Sequence, residues 1–453
     1  MSKYEFDEII NRYNTDSLKY DCASLKGMPD GILPMWVADM DFKTADPVSA
    51  ALRKASDHGI FGYTVPGASY YDSVRSWWRE RHGYEFDAQS VVVLPGVVFA
   101  LAQTVRAFTK PGDAVLIQRP VYYPFTDVIE SNGRRLVNNP LVLGEDGKYR
   151  IDFDDFEQRL AEDKPKMFIL CSPHNPVGRV WTRGELERMG DLCLSYGCLV
   201  ISDEIHADFI YRTAEDGAVG LTQNTADETQ THTDSICRTA AGESKPAAGA
   251  ARKHTVFSTI KDDFRANSVV CTSPSKSFNL AGLQLSNIVI EDPELRTRYR
   301  EEINASGYSQ PSVVGVAACR AAYEEGGPWF DELAAYIEGN LAALRSRLAG
   351  ETPFANPGTT SFAPTTSRSR ADGGIPGVRL IEPEGTYLPW LDFRGTGLAQ
   401  DEADDLLINK AGIWLDSGTM FGPEGEGFQR INIACPRSIL TNALDRIASA
   451  VIK

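Results

Sequence analysis

One lysine of this sequence stands where an amine could do chemistry. Lys276 follows the apolar run SVVCT and lies between two serines in the stretch SPSKSFNLAG, residues 273–282. Most lysines are surface residues whose amines stay charged and solvated. An amine placed after a buried strand can have a lowered pKa, because burial and nearby positive charge disfavour the ammonium form. Lys276 is therefore a candidate nucleophile or Schiff-base amine.

A carboxylate and an imidazole follow another apolar run. In LVISDEIHADFIY, residues 199–211, Asp203 comes where a strand gives way to a loop, and His206 comes three residues later. A carboxylate at such a position is costly to desolvate unless a cation or hydrogen-bond donor accompanies it, and a protonated ring nitrogen could be that partner. His206 could be a general base, a metal ligand or an oriented donor. Metal binding by the pair lacks an evident third ligand.

Three further motifs offer weaker signals, and ordinary packing or turn formation is an alternative for each. In LPGVVFALAQTVRAF, residues 94–108, a helix is predicted directly after Gly96, and its free N–H groups suit a phosphate. In RPVYYPF, residues 119–125, Tyr122 could stack on a flat ring. In CSPHNPVGRVW, residues 171–181, the Asn175 amide could donate a hydrogen bond into a site.

The elements around these motifs predict a parallel sheet. Helix-like spacing at 97–109, 122–132 and 183–196 alternates with apolar runs that are typical of buried strands. The strand–helix alternation favours a sheet that is covered by helices on both faces, with functional groups at the carboxyl ends of its strands. Every motif described above follows such a run; the predicted strands are 90–96, 113–120, 166–173, 198–204 and 268–276.

The pattern changes after residue 290. Long helices are predicted at 291–304, 312–324 and 328–349, and strands at GVRLIEP and GTYLPWLDF precede a helix near 399–411. We expect a large domain at 46–290 and a smaller α/β domain made of 1–45 and 291–453. Residues 213–253 have few bulky aliphatic side chains, which predicts an exposed insert, and the Thr-, Ser-, Pro- and Gly-rich residues 355–376 predict a surface loop.

Composition and charge indicate which partners this protein is not expected to bind and in which compartment it is expected to work. The formal net charge of −16 argues against nucleic acid or an anionic membrane as a partner, because both require clustered Lys and Arg. The eight cysteines include no Cys-x-x-Cys pair, which indicates reduced thiols rather than a disulfide framework or a zinc site. The first residues, MSKYEFDEII, do not resemble a signal peptide, and no apolar run approaches bilayer length. We therefore predict a cytoplasmic protein.

The motifs together match the needs of one cofactor. Pyridoxal 5'-phosphate requires a phosphate cradle, a stacking ring, a donor to its phenolate oxygen, a carboxylate for its ring nitrogen and a lysine. The order of these groups resembles fold-type I pyridoxal-phosphate enzymes. The resemblance implies an aspartate-aminotransferase-like α/β fold, with a mixed, mostly parallel sheet between helices in the large domain and a smaller α/β domain. The chain more closely resembles the MalY/PatB-like cystathionine β-lyase, or C–S lyase, family through the motifs quoted above and through FDEIINRYNTDSLKYD (6–21), LPMWVADMDF (33–42), FGYT (61–64) and MFGPEGEGFQRINIACPR (420–437).

The resemblance implies a role for each candidate. Lys276 would be the covalent anchor and the general base, and Asp203 would partner the ring nitrogen. Tyr122 would stack on the ring, while Asn175 and His206 would lie near its phenolate oxygen. The phosphate would be held by the main chain at Gly96, Val97 and Val98 and by Ser273. Arg430 would bind the substrate carboxylate, and Tyr63 would reach the phosphate of the neighbouring subunit in a homodimer.

The resemblance also implies an activity, namely β-elimination that splits L-cystathionine or a related cysteine S-conjugate into a thiol, pyruvate and ammonia. Two departures from the wider superfamily favour a lyase over an aminotransferase. Gln284 stands where many aminotransferases carry an arginine, and His206 where they often carry a tyrosine. An aminotransferase with the same groups remains the alternative, and a regulatory protein that keeps this fold is a further one.

Overall fold

The computed structural model describes residues 3–211, 253–350 and 374–452. The predicted insert at 213–253 and the predicted loop at 355–376 lie outside the described residues, apart from residue 253 and residues 374–376.

The described residues form strands and helices at every predicted position, together with further elements that were not predicted. The strands are β1 (Leu33–Pro34), β2 (Val91–Leu94), β3 (Ala114–Ile117), β4 (Arg135–Asn138), β5 (Val142–Leu143), β6 (Tyr149–Arg150), β7 (Met167–Cys171), β8 (Leu199–Asp203), β9 (Ser268–Thr272), β10 (Ser286–Val289), β11 (Arg379–Ile381), β12 (Trp390–Asp392), β13 (Ile413–Trp414), β14 (Asp416–Ser417) and β15 (Phe428–Arg430). The helices are α1 (Asp46–His58), α2 (Ala68–His82), α3 (Val97–Phe108), α4 (Pro124–Glu130), α5 (Phe153–Asp163), α6 (Arg183–Ser195), α7 (Asp262–Ala266), α8 (Pro274–Ser277), α9 (Pro293–Ala305), α10 (Val313–Glu325), α11 (Gly327–Ala349), α12 (Gln400–Asp405) and α13 (Arg437–Val451).

A seven-stranded sheet is the centre of the fold. Its strand order is β2-β10-β9-β8-β7-β3-β4. Strand β10 runs antiparallel to both of its neighbours, whereas the pairs from β9 to β4 are parallel. The predicted mixed, mostly parallel sheet is therefore confirmed. Strands β7, β8 and β9 are buried along their whole length, which explains why their sequences are continuous apolar runs rather than alternating ones.

Helices cover both faces of this sheet, as the strand–helix alternation predicts. Strand β3 shows how the two faces divide. Val115 and Ile117 pack in a cluster with apolar side chains of α3, α4 and α9. Ala114 and Leu116 point the other way, into a cluster with α5 and α6. Since neighbouring side chains of a strand point to opposite faces, both faces of β3 need apolar residues.

A second, smaller sheet lies in the C-terminal part of the chain. It is antiparallel, with the order β11-β12-β15-β14. The N-terminal segment joins this part of the chain through β1, which pairs in parallel with β13 at Leu33 and Ile413. The separate sheets favour the predicted division into a large and a small domain at residues 46 and 290, which stays a prediction.

Two element predictions for this region were partly wrong. The run at 385–393 is a strand only over Trp390–Asp392, and the helix predicted near 399–411 changes to a π-helix at Leu406–Ala411. Among the described cysteines none forms a disulfide, and all except Cys22 are buried. In the described part of the chain, no helix combines the length and apolar character needed to cross a membrane.

Candidate active site

A cavity of about 250 Å³ lies at the carboxyl ends of the parallel strands of the central sheet. The segments that follow β2, β3, β7, β8 and β9 all contribute to its wall. Most of the predicted site residues are brought together here, because these strand ends meet at one edge of the sheet. The predicted residues that line the cavity are Gly96, Val97, Val98, Tyr122, Asn175, Asp203, His206 and Lys276.

Lys276 lies on the short helix α8, whose N-terminus is capped by the Ser273 hydroxyl through the N–H of Ser275 (3.1 Å). The Lys276 Nζ donates a hydrogen bond to the backbone carbonyl of Ala38 (2.8 Å). Burial, reinforced by the positive charge of Arg430, lowers the pKa of Lys276 to about 8. The neutral fraction near physiological pH is therefore much larger than for an exposed lysine, and a neutral amine can act as a nucleophile or a base.

Asp203 is the last residue of β8 and is buried in the cavity floor. One of its carboxylate oxygens accepts a hydrogen bond from the N–H of Ile205 (3.2 Å). Burial raises the pKa of Asp203 to about 7, because the low-dielectric surroundings penalise the charged form. A cation placed against this carboxylate would offset that cost, so Asp203 is suited to holding a protonated ring nitrogen.

Arg430 and Asn175 are joined by a hydrogen bond. The Arg430 Nη1 donates to Asn175 Oδ1 (3.0 Å), so the NH₂ group of the Asn175 amide remains for the cavity. The Arg430 Nη2 donates to the Trp36 carbonyl (3.0 Å) and to the buried carboxylate of Asp416. Within the described residues the Arg430 Nε has no partner. The guanidinium therefore has donors left for a carboxylate.

His206 and Tyr122 complete the walls. Burial, with the charges of Lys276 and Arg430, holds the pKa of His206 well below its usual range, so the ring is neutral. Its Nδ1 has no partner within the described residues. The Tyr122 N–H donates to the Asn175 carbonyl (3.0 Å), which joins the segment after β3 to the segment after β7.

The junction of β2 and α3 presents backbone N–H groups to the cavity. Gly96 precedes α3 with φ 151° and ψ 161°, and no side chain caps the helix. Only glycine adopts these angles readily. Since the first N–H groups of a helix lack intrahelical partners and lie at the positive end of its dipole, this junction suits an anion.

Three predicted residues do not line the cavity of this chain. Arg430 lies behind the cavity residue Asn175, to which it donates a hydrogen bond. The Ser273 hydroxyl is turned towards the Leu285 carbonyl (2.7 Å), and Ser275 lines the cavity instead. Tyr63 is 97% exposed, between α1 and α2. The roles predicted for Ser273 and Tyr63 stay predictions.

Sequence reasoning missed residues that contact the functional groups. They are the Ala38 carbonyl, Trp36 and Asp416, with Tyr387, whose hydroxyl also donates to the Ala38 carbonyl (3.0 Å). The motif that contains Ala38, LPMWVADMDF, entered the sequence analysis only through the family resemblance. Every residue has a backbone carbonyl, so the sequence cannot show which carbonyl will lie beside the lysine. Within the described residues no cluster of three or more His, Cys, Asp or Glu side chains could hold a metal ion.

Comparison with known proteins gives the family. Residues 38–447 match the model of the family described as aminotransferase class I and II. The chain belongs to this family. Cystathionine β-lyase PatB from Bacillus subtilis is 39% identical over 98% of this chain and 99% of its own length. Protein MalY from Escherichia coli is 29% identical over 99% of both chains.

Solved structures of the family agree with this fold. A PLP-bound putative aminotransferase from Clostridium difficile 630 superposes with a TM-score of 0.83 and 33% identity, covering 99% of this chain and 100% of that chain. Cystalysin from Treponema denticola, which contains a pyridoxal 5'-phosphate cofactor, gives a TM-score of 0.81 and 32% identity, covering 99% of both chains. The predicted aspartate-aminotransferase-like fold is therefore confirmed.

Proposed function

We propose that this protein is a pyridoxal 5'-phosphate-dependent carbon–sulfur β-lyase. Its substrate would be L-cystathionine or a related cysteine S-conjugate, and its products a thiol, pyruvate and ammonia. The observation that carries the proposal is the buried amine of Lys276 in one cavity with Asp203, beside the guanidinium of Arg430. PatB bears the name of a cystathionine β-lyase and cystalysin contains this cofactor, which supports the same activity.

The residues present fit the cofactor. The raised pKa of Asp203 indicates a buried carboxylate that a protonated ring nitrogen would stabilise. The uncapped N-terminus of α3 offers backbone donors to the phosphate, and the Asn175 NH₂ group is left for the phenolate oxygen. His206 would lie near the same oxygen, and Tyr122 would stack on the ring. Lys276 would be the covalent anchor.

The chain's own groups would then carry out the elimination. Bound pyridoxal phosphate supplies an electron sink for the α-carbon of the substrate. Arg430 would hold the substrate carboxylate and so orient the α-hydrogen towards the Lys276 Nζ. The neutral amine would take this proton, and the electron pair of the Cα–H bond would allow the Cβ–S bond to break with loss of a thiolate. Hydrolysis of the remaining enamine by water gives pyruvate and ammonia.

Lysine replacement tests this proposal. We expect wild-type enzyme to form pyruvate and thiol from cystathionine in equal amounts without an added 2-oxo acid. We expect Lys276→Ala to keep its circular dichroism, to lose the absorbance band of lysine-linked cofactor and to lose activity by about 10³-fold or more. The control is Lys43→Ala, which removes an exposed lysine whose ion-pair partner in the described part of the chain is Glu8.

The outcomes also separate the alternatives. A strict requirement for 2-oxoglutarate would reject the lyase in favour of an aminotransferase. An unchanged absorbance band in Lys276→Ala would reject this residue as the anchor. Cofactor binding without turnover of any cysteine S-conjugate would favour a regulatory protein.

We also propose that the enzyme is a cytoplasmic homodimer in which Tyr63 reaches the phosphate of the neighbouring subunit. Tyr63 lies in a stretch whose apolar side chains are exposed, with Ile60 at 68%, Phe61 at 62% and Val65 at 78%. A stretch of exposed apolar residues is typical of a protein interface. The unpaired, mostly buried thiols of the described cysteines are in keeping with a reducing compartment.

A further inference from the structure

The Ala38 carbonyl accepts hydrogen bonds from two side chains that come from distant parts of the sequence. The Lys276 Nζ lies 2.8 Å from this oxygen, and the Tyr387 hydroxyl lies 3.0 Å from it. A carbonyl oxygen has two lone pairs and can accept both bonds. The Tyr387 hydroxyl and the Lys276 amine therefore share one acceptor oxygen.

The segment that carries this carbonyl is held firmly on both sides of Ala38. The Asn432 side chain donates to the carbonyls of Val37 (2.7 Å) and Asp39 (2.6 Å). One residue further, the Met40 carbonyl accepts from Arg12 (3.2 Å) and from Asn279 (3.0 Å). Asn279 follows Lys276 by three residues. One short stretch of the chain therefore carries both the amine and a side chain that holds the segment around Ala38.

Tyr387 is a permanent donor in this arrangement. Its side chain is fully buried, and its ring packs edge-on against Phe209 (4.9 Å between centroids) and His206 (5.8 Å). Burial raises the pKa of Tyr387, so the O–H stays protonated throughout the range in which an enzyme works. A buried hydroxyl needs a partner, and the Ala38 carbonyl supplies it.

We propose that Tyr387 is a positioning residue for the catalytic amine, and that its hydroxyl and the Ala38 carbonyl form a seat that holds the free Lys276 Nζ for proton transfer. The Tyr387 hydroxyl occupies one lone pair of the oxygen and makes it a weaker acceptor for a charged ammonium group. The hydroxyl thereby reduces the stabilisation that the Ala38 carbonyl gives to the ammonium form. This inference rests on the proposed function, in which Lys276 is the base.

Other charged groups around Lys276 also shift its pKa, and they must be separated from the effect of the Tyr387 hydroxyl. Arg430, from β15, lowers the pKa of the amine, whereas Asp39 and Asp203 raise it. His206 is neutral and contributes no charge. Removing the Tyr387 hydroxyl leaves these groups in place and strengthens the bond between the Ala38 carbonyl and the ammonium form. The pKa of Lys276 should therefore rise in Tyr387→Phe.

Chemical labelling of the amine tests the seat without reference to turnover. The full-length chain, stripped of cofactor, is treated with an amine-selective reagent over a range of pH, and the Lys276 peptide is quantified by mass spectrometry. We expect a labelling midpoint near pH 8 for the wild type. For Tyr387→Phe we expect a midpoint higher by about half a unit or more, which is about a threefold change in protonation.

Tyr299→Phe is the matched control. Tyr299 is also fully buried, and its hydroxyl also donates to a backbone carbonyl, that of Ala100 (2.9 Å), but it packs in the cluster that includes α3 and α9. We expect no shift of the Lys276 midpoint in this variant. If Tyr387→Phe does not fold, as judged by circular dichroism, Tyr387→Met removes the same hydroxyl and replaces it in the test.

The enzyme loaded with cofactor gives a second readout. We expect kcat of Tyr387→Phe to fall about threefold to tenfold at pH 7 and to approach the wild-type value at high pH, with KM unchanged. An unchanged labelling midpoint, or an equal shift in Tyr299→Phe, would overturn the seat. If the midpoint shifts but the wild type has no lyase activity, the proposed function fails while the seat stands.

Discussion

The guanidinium of Arg430 has several partners in the protein and still has donors to spare. It bonds to Asn175, to the Trp36 carbonyl and to Asp416, while its Nε has no partner among the described residues. Burial raises the pKa of Asp416, and its charge is stabilised by Arg430. A buried ion pair of this kind costs desolvation energy and holds the guanidinium in one orientation. That orientation is what a carboxylate-binding arginine needs.

Arg430→Lys tests whether the spare donors bind substrate. Lysine keeps the positive charge beside Asp416 but cannot present two parallel N–H groups. Loss of a charged hydrogen bond costs about 1.5–3 kcal/mol, so we expect KM for cystathionine to rise about 10-fold to 100-fold, with a smaller change in kcat. The measurement is the initial rate of pyruvate formation against substrate concentration.

Arg394→Lys is the control for this experiment, because Arg394 is half-exposed, does not line the cavity and pairs with the buried carboxylate of Asp392. A wild-type KM in Arg430→Lys, or the same rise in Arg394→Lys, would exclude Arg430 as the carboxylate-binding group.

At the scale of the element, two strand-to-helix junctions build most of the cavity. After β2 the chain turns at Gly96 and enters α3 without a side-chain cap, so the helix N-terminus faces the cavity. After β9 the Ser273 hydroxyl caps α8 and accepts from the N–H of Ser275, so this donor already has a partner. One junction therefore offers donors to a ligand, and the other uses its donors to hold Lys276.

Gly96→Ala should disturb the first junction. At φ 151° and ψ 161° an alanine is strained, and we expect the free energy of unfolding to fall by about 1–3 kcal/mol. If the backbone relaxes, the N–H groups of α3 move, so we also expect weaker cofactor binding. Urea denaturation measures the first effect, and cofactor titration followed by absorbance measures the second.

Gly184→Ala provides the comparison. Gly184 lies in the first turn of α6, has ordinary helical angles and would place its Cβ in open space. We expect this variant to be neutral or up to about 1 kcal/mol more stable, with unchanged cofactor affinity. Gly96→Ala with wild-type stability and affinity would contradict the role of the junction.

Some elements were predictable and others were not, for physical reasons. The buried strands β7, β8 and β9 were predictable because a strand that is covered on both faces needs apolar side chains at every position. The antiparallel direction of β10 was not predictable, because the residues of a short strand do not reveal how it will pair with its neighbours. The run at 385–393 was predicted as one strand, but only Trp390–Asp392 pairs, and Tyr387 lies before the paired part with its hydroxyl on the Ala38 carbonyl.

At the scale of the whole molecule, Tyr63 raises the question of which subunit completes the site. Its side chain is almost fully exposed and is not among the cavity residues of its own chain. In a dimer with two-fold symmetry, one residue that acts across the interface acts twice. Complementation between two inactive variants distinguishes action across the interface from action within one chain.

We expect hybrid dimers of Tyr63→Ala and Lys276→Ala to be active. If Tyr63 serves the neighbouring site, each hybrid contains one site with both residues intact, and its activity should be about half that of the wild type. The hybrid is purified through two different affinity tags and assayed for pyruvate, with each parent dimer as the control. If Tyr63 serves its own chain, the hybrid will be as inactive as its parents. If no dimer forms, no species that carries both tags will be recovered.

The sequence by itself determined which groups are the candidates for the chemistry. Asn175, Asp203 and Lys276 lie at or shortly after the ends of buried strands, and the carboxyl ends of parallel strands meet at one edge, so their convergence could be predicted from order alone. The tertiary structure alone decided what surrounds them. That Lys276 rests on the Ala38 carbonyl, that Tyr387 shares this oxygen and that Arg430 is paired with Asp416 depend on backbone positions and burial, and these arise only when the distant segments pack together.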